Sequence, residues 1–158
     1  MKRILKVLLS TAVALFILIG ASSADEMYVL CRPNDYVNVR EFPSTKGAQA
    51  GRLECGDSID TDGITKKDKQ GRTWVQVYGG FEGDAWICAM YLQDSPVVVC
   101  KCTGYVSSKG RVALRRSPNG KRIKWLKNGT ELSILAMSDD WVLTTTGYVK
   151  REYLDVMY

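Results

Sequence analysis

Beyond its first two dozen residues, this 158-residue chain is predicted to be all-β, built as two small barrels in tandem. Three observations predict it. One string of landmarks occurs twice; the apolar runs are short, β-branched and alternate with period two; and no stretch after the first two dozen residues sustains a helical period over three turns. With 46% hydrophobic and 25% charged residues the composition is that of a globular protein.

Residues 1–24 read as a signal peptide. Lys2, Arg3 and Lys6 form a basic start, and Val7 to Ile19 form a 13-residue run whose polar members are Ser10 and Thr11. That run is shorter than the roughly 20 residues of a spanning helix, so no stable membrane span is expected once it is removed. Ser22-Ser23-Ala24 supplies the small residues of a cleavage site, after Ala24 or after Ser23.

The first unit, residues 25–95, carries Val37-Asn38-Val39-Arg40, Pro43, Leu53, Gly56-Asp57, Trp74-Val75-Gln76-Val77, Trp86-Ile87 and Tyr91-Leu92. The second, residues 96–158, carries Val112-Ala113-Leu114-Arg115, Pro118, Leu126, Gly129-Thr130, Trp141-Val142-Leu143, Tyr148-Val149 and Tyr153-Leu154. Spacing from Arg to Pro, from Leu to Gly and from the late aromatic to the last Leu is the same in both copies. Val37 and Val39, Val75 and Val77, and Leu132 and Ile134 each sit two apart and share a strand face. Asp62-Gly63, Gly79-Gly80, Pro118-Asn119-Gly120 and Asn128-Gly129 supply the positive φ that hairpin turns need. Between the units, Pro96-Val97-Val98-Val99-Cys100 is too apolar for a floppy tether and is expected to be a strand or a docked connector.

The chain has no His, which removes Ser-His-Asp and Cys-His nucleophile pairs and His-ligated zinc. Without residues 1–24, 19 basic side chains face 17 acidic ones, but they are unevenly shared: 8 against 12 in residues 25–95, and 11 against 5 in residues 96–158. The first unit is acidic and the second basic. Five cysteines, all in the exported part, fit a compartment where disulfides persist. Cys31 with Cys55 is the favoured pair, then Cys88 with Cys100 or Cys102, leaving one thiol over; free buried thiols are the alternative.

The string Tyr36-Val37-Asn38-Val39-Arg40-Glu41-Phe42-Pro43-Ser44, followed by Gly-Asp, Trp-x-x-Val and a closing aromatic-x5-Leu, resembles the bacterial Src-homology-3-like domain. The second copy departs from it, with Ala113 in place of the Asn and Asn119 in place of the Ser. The resemblance implies small Src-homology-3-like barrels, no catalysis, and either binding of cell-wall peptidoglycan or the positioning of an attached hydrolase.

Two surfaces are candidates for that binding. The segment 109–127 holds eight basic residues and no acidic one, with Arg115, Arg116, Lys121, Arg122, Lys124 and Lys127 as the expected grip on an anionic polymer; the alternative is a solvated polar face. Trp74, Tyr78, Trp86 and Tyr91 are the expected aromatic groove for sugar rings or peptide, unless they seal the core. Export leaves a basic patch little access to nucleic acid. Asp60-Thr61-Asp62-Gly63 lacks the spacing of a calcium loop, and Cys100-Lys101-Cys102 lacks a second thiol pair for zinc, so no metal and no cofactor is expected. Asp139-Asp140 look like a hairpin cap, and no residue is assigned a catalytic role. The reading is a secreted or envelope-bound, non-catalytic module that attaches to cell-wall glycan or peptide or an anionic glycopolymer; the alternative is an adaptor for a protein partner or a homodimer.

Overall fold

The structure is a computed structural model that describes residues 24–158, so the expected signal peptide lies outside the described residues up to Ser23. Among the described residues the chain is all-β. Its first half supplies β1 (Asp25–Val29), β2 (Tyr36–Arg40), β3 (Gln49–Glu54), β4 (Ser58–Thr61), β5 (Thr65–Lys67), β6 (Thr73–Val77), β7 (Ala85–Cys88) and, after a 3₁₀ turn at Ala89–Tyr91, β8 (Leu92–Gln93). The second half supplies β9 (Val98–Val106), β10 (Val112–Arg115), β11 (Arg122–Leu126), β12 (Glu131–Met137), β13 (Trp141–Thr144), β14 (Tyr148–Lys150) and, after a second 3₁₀ turn at Arg151–Tyr153, β15 (Leu154–Met157). No helix among these residues is long and apolar enough to cross a membrane.

The halves trace one strand path. Residues 98–157 form a seven-stranded sheet in the order β11-β10-β14-β13-β12-β9-β15. Residues 25–93 form a five-stranded sheet, β3-β2-β7-β6-β5, and a three-stranded sheet, β4-β1-β8. Joining β5 to β4 gives the order of the second half. In the second half β12 is one long strand that pairs with β13 on one side and β9 on the other. In the first half the equivalent stretch is cut by Asp62-Gly63, where Gly63 takes φ +77°, and the Asp60–Tyr78 bridge, with the Thr61 hydroxyl donating to the Gln76 carbonyl at 2.8 Å, spans the gap.

The same backbone hydrogen bonds tie each path together. Gly56 and Gly129 donate to Val29 and Val106 at 2.9 and 2.7 Å, and Val29 and Val106 donate back to Asp57 and Thr130 at 2.9 Å each. Leu30 and Ser107 donate to Tyr91 and Tyr153 at 2.8 and 2.9 Å. Both glycines hold positive φ, +96° and +75°, which a side chain would strain. That requirement explains why Gly survives in both strings of landmarks.

Each half buries its alternating face. Val37, Val39, Val75, Val77 and Ile87 pack in one core, and Val112, Leu114, Ile134, Val142 and Val149 in the other. A third cluster joins them, with Leu30 of the first half against Ala136, Trp141, Leu143 and Tyr148 of the second. Three polar contacts flank it: Arg32 donates to the Thr145 carbonyl at 3.1 Å, Ser138 to Gln93 Oε1 at 3.1 Å, and the Asp139 amide to Ser95 Oγ at 3.0 Å. The expected connector is therefore docked, and its Val98 to Cys100 begin β9, where Val98 and Val99 pair with Met137 and Ala136 of β12.

Closure differs from the expectation. Among the described residues none of the three sheets returns to its first strand, so neither half is a hydrogen-bonded barrel there; β11 and β15 remain edges of one open sheet. Alternation reports which face is buried but not whether the end strands meet. On β11 three side chains out of five carry charge or an indole, a make-up that tolerates an unpaired edge.

Candidate functional site, a basic edge hairpin

The hairpin β10–β11 is built around a tight loop. Pro118 sets the turn, Asn119 takes φ +56°, and Arg116 and Gly120 donate to the Lys121 and Ser117 carbonyls at 3.0 and 2.9 Å. Val112, Leu114 and Leu126 point into the core. The ladder then slips: Leu114 faces Lys124, but Arg115 faces Arg122. That bulge, at Ile123, turns Arg122 onto the face already shared by Ala113 and Trp125. The Arg122 guanidinium lies over the Trp125 ring, 4.4 Å from its centre. Trp125 and Ile123 are 47% and 49% exposed on a strand whose outer edge has no partner among the described residues.

Five of the six basic residues expected to grip a polymer, Arg116, Lys121, Arg122, Lys124 and Lys127, are exposed on this hairpin and its end. Arg115 is not among them. It is half-buried and donates from Nη1 to the Gly120 carbonyl at 2.9 Å, holding the loop. Arg40 makes the equivalent bond to Gly47 at 2.8 Å, so the repeated Arg is scaffold. Trp125 and Ile123 went unread in the sequence. The signal was an indole inside a basic run, but strict alternation sets Trp125 on the face opposite Arg122, and the bulge that joins them leaves no mark in the residues.

The four aromatics do not form one open groove. Trp74 and Trp86 are 3% and 2% exposed and pack with Cys88 under Met90 and Tyr91. Trp74 does point away from Val75 and Val77, yet that side is covered. Its Nε1 donates to Asp68 Oδ2 at 3.0 Å, and Asp68 also accepts the amides of Gln70 and Arg72 and the Arg72 Nε at 2.6 Å. Burial pushes the Asp68 carboxyl up, but this ring of donors outweighs it and brings the carboxyl down to about 2. Trp86 carries the Lys66 ammonium 4.8 Å above its ring. Tyr78 is exposed at a separate place, donating to Asp62 Oδ2 at 2.7 Å, and Asp62 also accepts the Ile64 amide of its own turn.

Of the aromatic set, Trp74 and Tyr91 line a cavity of about 160 Å³ with Tyr36, Arg40 and Arg72. Tyr36 and Tyr91 also line a wider cleft of about 320 Å³ between the halves, whose far wall is Arg116, Ile123 and Tyr148. The basic hairpin thus opens onto the junction. Tyr36 is 44% exposed there, with the Arg52 guanidinium 4.1 Å from its ring.

All five cysteines are free thiols. Cys31 and Cys55 do pack in the same core, with the Cys31 thiol donating to the Arg32 carbonyl at 3.7 Å, and their proximity pushes the Cys31 thiol up and brings Cys55 down to about 7. Cys88 sits in the tryptophan cluster, away from its expected partners, and Cys100 faces Cys102 at 2.7 Å instead. Among the described residues no three His, Cys, Asp or Glu side chains gather as a metal site.

The chain matches no protein-family model. It matches no curated protein either. Among solved structures it is similar to NlpC2 from Trichomonas vaginalis, at 14% identity over 85% of this chain and 48% of that one, with a TM-score of 0.32. NlpC1 from the same organism gives 14% identity over 84% and 46%, also at 0.32. A candidate autolysin from Listeria monocytogenes gives 13% identity over 84% and 62%, at 0.30. The chain spans less than two thirds of the length of each.

Proposed function

We propose that the protein is an exported, non-catalytic pair of bacterial Src-homology-3-like units, residues 25–95 and 96–158, that attaches to the cell wall or to an anionic glycopolymer of the cell surface. The carrying observation is the hairpin β10–β11, where exposed cations surround an exposed indole at an open sheet edge. Cations confer affinity for phosphate or carboxylate polymers, and an indole face stacks on sugar rings. The duplicated strand path and shared turn bonds support the reading of two units. Residues 1–24 serve as the export signal in this reading, and the product is secreted or held at the envelope.

The test is sedimentation with purified wall sacculi. Wild-type protein pellets with them and is released as salt rises, because exposed charges are screened within about 10 Å at 0.1 M ionic strength. The variant Arg116→Glu/Lys121→Glu/Arg122→Glu/Lys124→Glu stays in the supernatant at every salt concentration. Arg115 is left intact because it holds the loop. Equal pelleting of the reversed variant sinks the proposal.

The open edge of β11, with Ile123 and Trp125 exposed, favours one second reading: addition of a strand from a protein partner or a second copy. A concentration-dependent dimer, lost on Ile123→Lys and indifferent to sacculi, is the result that selects it.

A further inference from the structure

At the other end of the large sheet lies a feature independent of the charged hairpin. Cys100 and Cys102 are next-but-one neighbours on β9, and their Sγ atoms are 2.7 Å apart. In a regular strand such residues have Cα atoms about 6.6 Å apart, near the upper limit that a disulfide spans, and their side chains stand parallel. β9 is not regular there. Its pairing with β12 steps from Cys102 opposite Ile134 to Val99 opposite Ala136, three residues on β9 against two on β12. The extra residue falls at Cys100-Lys101, and a bulge at that point bends the strand and swings the two thiols together.

The pair is also reachable. Among the described residues β15 covers β9 only from Thr103 to Val106, so from Val98 to Cys102 the strand has β12 on one side and no described strand on the other. Both cysteines are half-buried, packed at the margin of the second core, while Lys101 between them is exposed. A buried dithiol in the core interior would be inert; one at a sheet edge meets dissolved reagents.

We propose that Cys100 and Cys102 form a thiol–disulfide exchange site that accepts oxidation from a small disulfide and closes to an intrastrand disulfide. The Cys102 thiolate attacks one sulfur of the disulfide RSSR, forming a mixed disulfide and releasing RS⁻. Cys100 then attacks the Cys102 sulfur, the mixed bond breaks, and the second RS⁻ departs. The protons of the two cysteines go to the two released thiolates, so RSSR is reduced to two RSH as the pair is oxidised. Cys102 attacks first because burial and the neighbouring thiol push Cys100 up to about 12, which keeps it protonated until the mixed disulfide has formed.

The experiment uses the full mature chain, reduced, then exposed to glutathione disulfide, alkylated and cut with trypsin without reductant. Lys101 places a cleavage point between the two cysteines, so the reduced form yields separately alkylated peptides. The expected result is one unalkylated species containing both cysteines, two mass units below the reduced pair. The variant Cys31→Ser/Cys55→Ser/Cys88→Ser closes in the same way. Cys100→Ser instead accumulates a stable glutathione adduct on Cys102, a readout that a purely packing role would not give. Two separately alkylated cysteines after oxidation, or a link from either one to Cys31, Cys55 or Cys88, overturns the proposal.

Discussion

The two edge strands, β3 and β11, hold equivalent places on the shared strand path and are used differently. On the core side of β3, opposite Val39, stands Gly51, and the Phe81 ring from the β6–β7 loop lies in the space its side chain would take. The matching place on β11, opposite Leu114, is Lys124, exposed to solvent. On the outer face Arg52 faces Asn38 and lies over Tyr36, while Trp125 faces Ala113 and lies under Arg122. The first half covers the core face of its edge strand with a loop aromatic; the second has only Thr145 to Gly147 in that loop and leaves the matching place to solvent. What both retain is the arginine that holds the hairpin loop and the two turns built on Gly56 and Gly129. Repeated landmarks mark the scaffold, and positions free to differ carry the surface.

The largest test of this contrast is a matched pair of substitutions. Gly51→Val forces a side chain into the Phe81 ring and is expected to destabilise the first half by about 1–3 kcal/mol, the usual range for overpacking. Lys124→Val at the equivalent place is expected to stay within about 0.5 kcal/mol, as exposed sites do. Chemical denaturation followed by tryptophan fluorescence checks both, and equal losses would break the equivalence. Smaller and symmetrical is the effect of Arg40→Ala and Arg115→Ala. Each removes one bond to a loop carbonyl, for about 1 kcal/mol apiece, and a loss confined to one of them shows that the shared bond does not carry the same weight in both halves.

Acid sharpens the comparison further. The β5–β6 turn is tied by the Asp68 carboxylate, whereas the β12–β13 turn is tied by the Ser138 hydroxyl, which accepts the Trp141 amide at 3.1 Å and does not titrate. Asp68 is lowered to about 2 in the folded chain from an ordinary 3.8, so folding favours its ionised form. Its contribution is complete above about pH 4 and is lost as pH falls towards 2. The first half is therefore expected to loosen first in acid, with Trp74 and Trp86 emission shifting before the second core unfolds. In Asp68→Asn the shift between pH 4 and pH 2 flattens; an unchanged acid profile in that variant overturns this role.

Much of the scaffold was legible in the residues. Val37 and Val39, or Val75 and Val77, announce strands with one buried face, and Asp62-Gly63 and Pro118-Asn119-Gly120 announce turns. The candidate site was legible in its charges but not in its geometry. Trp74 illustrates the limit: its face was read as opposite to Val75, but the 3₁₀ turn at Ala89–Tyr91 and the Asp68 side chain cover that face from other parts of the chain. Trp125 illustrates the converse, an indole left 47% exposed on the outer face, where only the bulge at Ile123 brings Arg122 over it.

Sequence alone determined the strand content, the repeated landmarks and the opposite charge of the two halves, because period-two alternation, positive-φ turns and net charge are local properties. Tertiary structure decided which aromatics are covered, which thiols meet, how the halves pack through Leu30 and Trp141, and that the sheets stay open. Those outcomes depend on register slips at Ile123 and at Cys100-Lys101, and on contacts between residues far apart in the chain. No local pattern encodes them.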